Sequence, residues 1–267
     1  MVDDFQVRVV VEDDIGVLHW SGYADQPTLD EAVSLAADDS LIGRGLRRVE
    51  ASVPATDRLA QRALHKAGFR REGRRRRAVP DGNGGFIDAL LYARLIEDQV
   101  YGMGAMTAIM DSVMPAHRII GHVLIRDEHG RVLFVEPTYK DDWELPGGVV
   151  EADESPRAGA IREVHEELGV RIELADQPLV TDWMPPYLGW HDAIEFVFDG
   201  GRIASGDIEG FVPPPEEIRG YHWVMPAEIP SRVRDFSARR IAGILDGTGL
   251  GYTEGGFPIG PVPPGPR

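Results

Sequence analysis

The sequence predicts an α/β (α+β) protein in two parts, and three observations support this. Runs of alternating apolar residues are interleaved with stretches of helical spacing along the whole chain. Residues 99–116 carry four of the seven methionines, and a fresh strand pattern begins after them. The charge is also unevenly divided: residues 1–100 hold 14 Arg/Lys against 17 Asp/Glu, whereas residues 101–267 hold 14 against 27. With 267 residues, 43% hydrophobic and 27% charged, the chain has the balance of a globular protein with ample core.

In the first part, residues 5–12 and 16–23 read as strands and 28–37 as a short amphipathic helix beginning near Thr28. Leu46 to Val53 is strand-like, and Asp57 to Ala67 has helical spacing that stops at Gly68. Residues 69–79 and 86–95 flank Pro80-Asp81-Gly82-Asn83-Gly84-Gly85 and are expected to form a hairpin. The expected boundaries are a domain over 1–98 and a linker with one helical stretch over 99–116. In the second part, 118–126 and 131–136 read as strands joined by a turn, followed by a loop at 137–148 and a helix at 156–168. Strands are expected near 170–174, 179–183, 192–199 and 220–225, with a Pro-rich loop at 213–215 and a last helix at about 231–245. The second domain should cover 117–246, and the Gly/Pro-rich tail, 247–267, should be disordered.

Composition narrows the function classes. Cysteine is absent, so disulfides and thiolate metal sites are excluded, and any metal must be held by oxygen or imidazole. A net charge of −16, concentrated in the second part, repels nucleic-acid backbone but suits a phosphorylated small molecule once divalent cations have been collected. The start, Met1-Val2-Asp3-Asp4-Phe5, lacks the order of a signal peptide, and no apolar run is long enough to span a membrane. The expectation is a cytoplasmic protein with no membrane or nucleic-acid partner, and a homodimer is left open.

Chemistry concentrates between Gly147 and Val170. Ser155 is a natural N-cap, Pro156 suits the first helical position and Gly169 suits the stop, which predicts a helix over 156–168. At 100° per residue, Ile161, Val164 and Leu168 share one face while Glu163, Glu166 and Glu167 crowd the other. Like charges at this spacing each cost roughly 0.2–0.5 kcal/mol, and Arg162 offsets only part of that. Two readings remain open on the helix alone: a solvated acidic face, or a site for a hard cation such as Mg²⁺ or Mn²⁺.

The wider spacing is Gly148, five residues, Glu154, seven residues, then Arg162-Glu163-Val164-His165-Glu166-Glu167-Leu168-Gly169-Val170. It resembles the box of the Nudix hydrolase family, G-x5-E-x7-R-E-U-x-E-E-x-G-U with U aliphatic, at every defined position. Trp143-Glu144-Leu145-Pro146 leads into it as in that family. The resemblance, over about 117–245, implies a mixed sheet sandwiched between helices and hydrolysis of a nucleoside diphosphate linked to another group. It implies that Glu163, Glu166, Glu167 and the Gly147 carbonyl hold the metal, oriented by Arg162 and Glu154. A base from a later loop is also implied, with Glu209, Glu216 and Glu217 as candidates. For the substrate, the aromatic segment offers Trp183, Tyr187 and Trp190, Tyr139 and Trp143 lie near the other rim, and Lys140 could reach phosphate. His165 occupies a free position of the box and is read as a helix surface residue.

The first hundred residues resemble the C-terminal half of a GCN5-related N-acetyltransferase, carried by Gly68-Phe69 before a strand and Glu72-Gly73 within it. That family binds coenzyme A pyrophosphate on a glycine-containing loop at a helix start. Here Asp25-Gln26-Pro27-Thr28-Leu29 has no glycine, Asp57 replaces the usual Asn, and the region is short of a full domain. A degenerate accessory or dimerisation domain is therefore expected. Arg74-Arg75-Arg76-Arg77 reads as a guarded hairpin edge, since alternate side chains of a strand cannot form one basic patch.

Overall fold

Strand pairing organises each part of the chain around its own sheet in the computed structural model, which describes residues 5–211 and 214–259. The chain divides into two units, Met1–Pro115 and Ala116–Arg267. No helix is long and apolar enough to cross a membrane among the described residues.

The first unit runs β1 (Gln6–Glu12), β2 (Ile15–Ser21), α1 (Gln26–Asp38), β3 (Arg48–Pro54), α2 (Arg58–Lys66), β4 (Arg70–Pro80), β5 (Phe86–Leu95) and α3 (Gly102–Val113). The sheet order is β1-β2-β3-β5-β4, with β2 parallel to β3 and the other pairs antiparallel. Asp25 caps α1 by accepting from the backbone N–H of Thr28, and Asp57 caps α2 in the same way through Ala60, each at 3.0 Å. Val33, Val49, Leu64 and Phe69 are fully buried between helices and sheet. The methionine-rich stretch contributes α3 to this unit, where Ser112 accepts from Arg71 through both its hydroxyl and its carbonyl at 3.1 Å. Arg74 to Arg77 lie on the edge strand β4, all exposed, because a register shift between Arg75 and Val79 breaks the alternation.

The second unit runs β6 (Arg118–Arg126), β7 (Val132–Pro137), β8 (Gly147–Val149), α4 (Pro156–Leu168), β9 (Val180–Met184), β10 (Ala193–Arg202), β11 (Ile218–Val224), α5 (Asp235–Asp246), β12 (Gly251–Glu254) and β13 (Phe257–Pro258). The sheet order is β11-β7-β6-β10-β9-β12-β13, with β6 parallel to β10. Alternation along β6 sends Val123 and Ile125 to a cluster with Ala160, Val164 and Leu168 of α4. It sends Leu124 to a second cluster with Ile241 and Ile244 of α5. The sheet is therefore covered on both faces, the expected sandwich. Gly121 allows the close approach of α4, since a Cβ there would lie 2.6 Å from the Pro156 carbonyl oxygen.

β6 and β7 pair only at Arg126 and Val132, beside their turn, and then diverge. The chain from Glu144 to Val149 fills the gap. Glu144 exchanges backbone hydrogen bonds with Val135 of β7, and β8 pairs with Ile120 to His122 of β6. Gly147 sits at φ +130°, where a Cβ would lie 2.2 Å from the Gly121 carbonyl oxygen.

Three expectations need correction. No strand forms at 170–174; this segment has no neighbouring strand, and the carbonyls of Leu174 and Ala175 accept from Arg157 instead. The last helix begins at Asp235, after a 3₁₀ turn over Pro226–Ser231 that contains Pro230. The tail is ordered through β12 and β13. β12 pairs in parallel with β9, and buried Thr253 donates to Asp182 at 2.5 Å. Residues 260–267 of the tail, and 212–213 of the Pro-rich loop, lie outside the described residues.

Thr253→Val keeps the shape of the side chain but leaves an oxygen of fully buried Asp182 short of a donor. It should lower stability by about 1–3 kcal/mol, several degrees in melting temperature, whereas Tyr252→Phe on the exposed face should change little. Equal melting temperatures for both variants would show that β12 is not anchored at Asp182.

Candidate active site

The helix α4 begins as its sequence dictates, with the Ser155 hydroxyl accepting from the Ala158 N–H at 3.2 Å, and it ends at Gly169 with φ 72°. One guanidinium organises its acidic face. Arg162 donates to Glu154 at 2.7 Å, to Glu163 and Glu166 at 3.0 Å each, and to the Val149 carbonyl at 3.2 Å. Glu154 also accepts from the Glu151 N–H at 2.7 Å, which pins the loop between β8 and α4. Its hydrogen bond from Arg162 holds the Glu154 carboxyl below the usual range.

The remaining carboxylate of the stripe turns inward. Glu167 accepts from the Gly147 N–H at 2.8 Å, and burial, reinforced by the negative charges of Glu163, Glu144 and Glu217, pushes its pKa up to about 8. Burial also raises Glu163, against the pull of Arg162. The Glu163 carboxylate lies over Gly148, where a Cβ would meet its oxygens at 2.8 and 2.9 Å. Among the described residues, no three carboxylate or imidazole side chains converge as a ready cation cage. Arg162 takes the charges of Glu163 and Glu166 instead. The chemistry of the donor set nevertheless fits a hard divalent cation: all donors are oxygens, burial raises two of the carboxyls, and Glu167 accepts only from a backbone N–H.

Glu163 and Glu167 open onto a cavity of about 490 Å³ between the sheet, α5 and the loops after β7 and β9. The cavity brings together most of the expected substrate residues. Lys140, Trp143, Tyr187 and Trp190 line it, as does Tyr139. Trp183 does not line it; its ring lies tilted against that of His117, with centroids 5.2 Å apart. Of the three candidate bases only Glu217 lines the cavity; Glu209 lies in a 3₁₀ turn over Ser205–Gly210, and Glu216 offers its carbonyl to Thr138. Glu166, half-exposed, stands outside the cavity lining.

The cations around the cavity are mostly committed. Lys140 is bonded to Glu144, and Arg234 donates to Asp142 at 2.6 Å and to the Tyr187 hydroxyl at 2.7 Å, which ties three loops together at the mouth. Arg118, absent from the sequence expectations, is different. Its guanidinium donates to the His191 carbonyl at 2.8 Å and lies 5.1 Å from the Trp190 ring centroid, with no carboxylate partner among the described residues. Only its place at the start of a strand, facing the box, gives it meaning, and no sequence motif marks it. A second group missed by sequence reasoning is the buried set His122, Asp182, Glu195 and Arg240.

Fold and box together define an α/β/α domain with an acidic, arginine-organised helix at the edge of a deep cavity. The NUDIX domain profile matches residues 115–242. A MutT-like protein of Streptomyces ambofaciens is 33% identical over 136 residues, covering 51% of this chain and 81% of that protein. An RNA pyrophosphohydrolase of Roseobacter denitrificans is 52% identical over 118 residues, 39% of this chain and 72% of its own. Among solved structures, a MutT protein from Methanosarcina mazei Go1 aligns at 25% identity and TM-score 0.42, over 51% of this chain and 96% of that one. A GNAT-family acetyltransferase from Bacillus anthracis aligns at 22% identity and TM-score 0.31, over 35% and 58%. The chain belongs to the Nudix family.

The raised pKa of Glu167 has a testable sign. Between its ordinary value and about 8 the native protein holds a proton that the unfolded chain has released, so stability without divalent cations falls as pH rises through that window. Glu167→Gln removes this titration. In chelator, the melting temperature of the variant relative to wild type should climb between about pH 5 and 8. A difference that stays flat would mean Glu167 titrates normally.

Proposed function

We propose that the second unit is a divalent-metal-dependent hydrolase that cleaves a phosphoanhydride in a nucleoside diphosphate linked to another group, as in nucleotides, nucleotide sugars or ADP-ribose. The carrying observation is the complete box folded so that Glu163 and Glu167, both raised by burial, open onto one cavity. Glu163, Glu166, Glu167 and the Gly147 carbonyl would hold Mg²⁺ or Mn²⁺. Such an ion, when bound, shields diphosphate charge and lowers the pKa of a bound water. Arg162, bonded to Glu154 and Glu163, ties the helix face to the preceding loop and would orient the carboxylates around the ion.

Glu217 would take a proton from the attacking water; the support is that, of the three candidate bases, it borders the cavity. Arg118 is the cation available to a phosphate oxygen, in preference to Lys140, whose charge Glu144 already balances. Trp143, Tyr187 and Trp190 supply flat walls for a base or sugar. The names of the relatives, MutT-like protein and RNA pyrophosphohydrolase, support phosphoanhydride chemistry. The partner is then a small phosphorylated molecule, in the cytoplasm of the cell.

Glu166→Gln keeps the size of the side chain and removes one metal ligand. Turnover at limiting Mg²⁺ should fall on the order of a hundredfold, with the melting temperature close to wild type because the lost Arg162 pair is solvent-exposed. Glu151→Gln, at an exposed position outside the box, is the control. The reaction in ¹⁸O-labelled water should label a phosphate product. Unchanged turnover in Glu166→Gln would remove this residue from the metal site, and label on a sugar carbon would replace the bond assigned here.

A further inference from the structure

The cavity contains a buried charge for which phosphoanhydride hydrolysis gives no use. Glu195, on β10, is 1% exposed and lines the cavity together with His122 and Arg240. Its two carboxylate oxygens are treated differently. Oε1 meets His122 Nδ1 at 2.8 Å and an Arg240 nitrogen at 2.7 Å, whereas Oε2 is buried with no hydrogen-bond partner among the described residues.

Among the described residues the neighbouring donors are bonded elsewhere or, as with Arg240 Nε, are not bonded to it. Arg240 also donates to Asp182 at 2.8 Å and to the Ser237 hydroxyl at 3.3 Å, and Asp182 is further held by Thr253 and by the Gly256 N–H at 2.9 Å. Of the polar residues of the cavity, Lys140 is bonded to Glu144 and the Ser237 hydroxyl accepts from Arg240, while Phe134, Leu145, Met184, Phe236 and Ile241 of its wall carry no side-chain donor. Burial alone would raise the Glu195 pKa, but the charges of Arg240 and His122 outweigh it and hold the group at about 2. The carboxylate is therefore an acceptor only. A buried acceptor left without a partner costs free energy, and a few placed polar atoms among apolar walls are how small-molecule sites fix orientation.

We propose that Glu195 Oε2 receives an uncharged hydrogen-bond donor from the non-phosphate end of the ligand, either an exocyclic amine of a base or a sugar hydroxyl. A phosphate is excluded there by like charge, so the ligand enters with its donor end toward Glu195 and its phosphates toward Arg118 and the box. This orientation rests on the hydrolase reading above, but the donor requirement can be tested apart from it.

Affinity is measured by calorimetry on the full chain with Ca²⁺ in place of Mg²⁺, and hydrolysis is measured separately with Mg²⁺ as loss of the triphosphate and formation of its nucleotide product. The probes are paired. ATP is compared with purine riboside triphosphate, GTP with inosine triphosphate and CTP with UTP to test the amine; each ribonucleotide is compared with its 2′-deoxy and 3′-deoxy forms to test the hydroxyl. One member of one pair should bind roughly tenfold to a hundredfold more weakly for want of the donor, the size expected for a hydrogen bond to a charged group. In Glu195→Gln that ratio should shrink toward one. If the variant does not fold, the wild-type ratios decide alone. Hydrolysis with every ratio within about threefold would leave the hydrolase reading standing and overturn this proposal. A donor-dependent ratio without hydrolysis would support it and count against the hydrolase reading for nucleoside triphosphates. Failure of every probe to bind would overturn it as well.

Discussion

The active-site architecture depends on the wedge that the chain from Glu144 to Val149 drives between β6 and β7. Those strands pair at one position and then diverge, and the wedge bonds to both of them. A sandwich covered on both faces would ordinarily keep the helices of opposite layers apart. The opening lets carboxylates of α4, which packs on one face, border a cavity whose floor lies on the α5 face. Close approach is what makes this possible: Gly121 lets α4 down onto β6, Gly147 lets β8 against β6, and Gly148 leaves room for Glu163. A side chain at any of these positions would separate the layers that the site joins.

Placing several carboxylates in that opening creates a charge problem, which Arg162 answers only in part. Its guanidinium reaches Glu154, Glu163 and Glu166 and leaves Glu167, the most buried carboxylate of the stripe, to a single backbone N–H. The arrangement is thus anchored at its rim and electrostatically unbalanced at its centre. The other buried charges of the unit are handled differently. Asp182, Arg240 and Glu195 form a chain of opposite charges between the sheet and α5, extended by the hydrogen bond between Glu195 and His122 and closed at the other end by Thr253 of β12 and the Gly256 N–H. Breaking such a chain leaves an uncompensated buried charge, a far larger cost than losing a surface pair.

What was legible in the sequence follows from how local each constraint is. The box could be read residue by residue because cap, helix, stripe and stop lie within one continuous segment, from Gly147 to Val170. The sandwich came with it, through the family resemblance. The buried ionic chain could not be read, because its members come from four elements and Glu195 sits in Ala-Ile-Glu-Phe-Val-Phe, where alternation suggests a solvent-facing position. In a sheet covered on both faces that inference fails. The tail was misjudged because Gly/Pro content signals disorder, while its ordering depends on one buried acceptor, Asp182, some seventy residues earlier. Trp183 was drawn into the substrate group by its neighbours in sequence, although strand alternation turns it away from Met184 and the cavity.

The pairing pattern around the cavity also limits how an anion could enter it. Lys140 with Glu144, Arg234 with Asp142 and Arg240 with Glu195 cancel within the wall. Glu167 and Glu217 remain without an ion-pair partner among the described residues, and Arg118 is the cation left to oppose them. An isolated phosphate approaching the box would therefore meet a net negative surface, and Coulomb repulsion in a partly enclosed site is not screened as it is in bulk water. An anion can enter only with compensating positive charge, which the acidic helix is built to collect. The acidity of the second unit then has a local meaning: on the proposed function, cation binding would be a condition of anion binding, and Arg118 would set the side from which the anion enters.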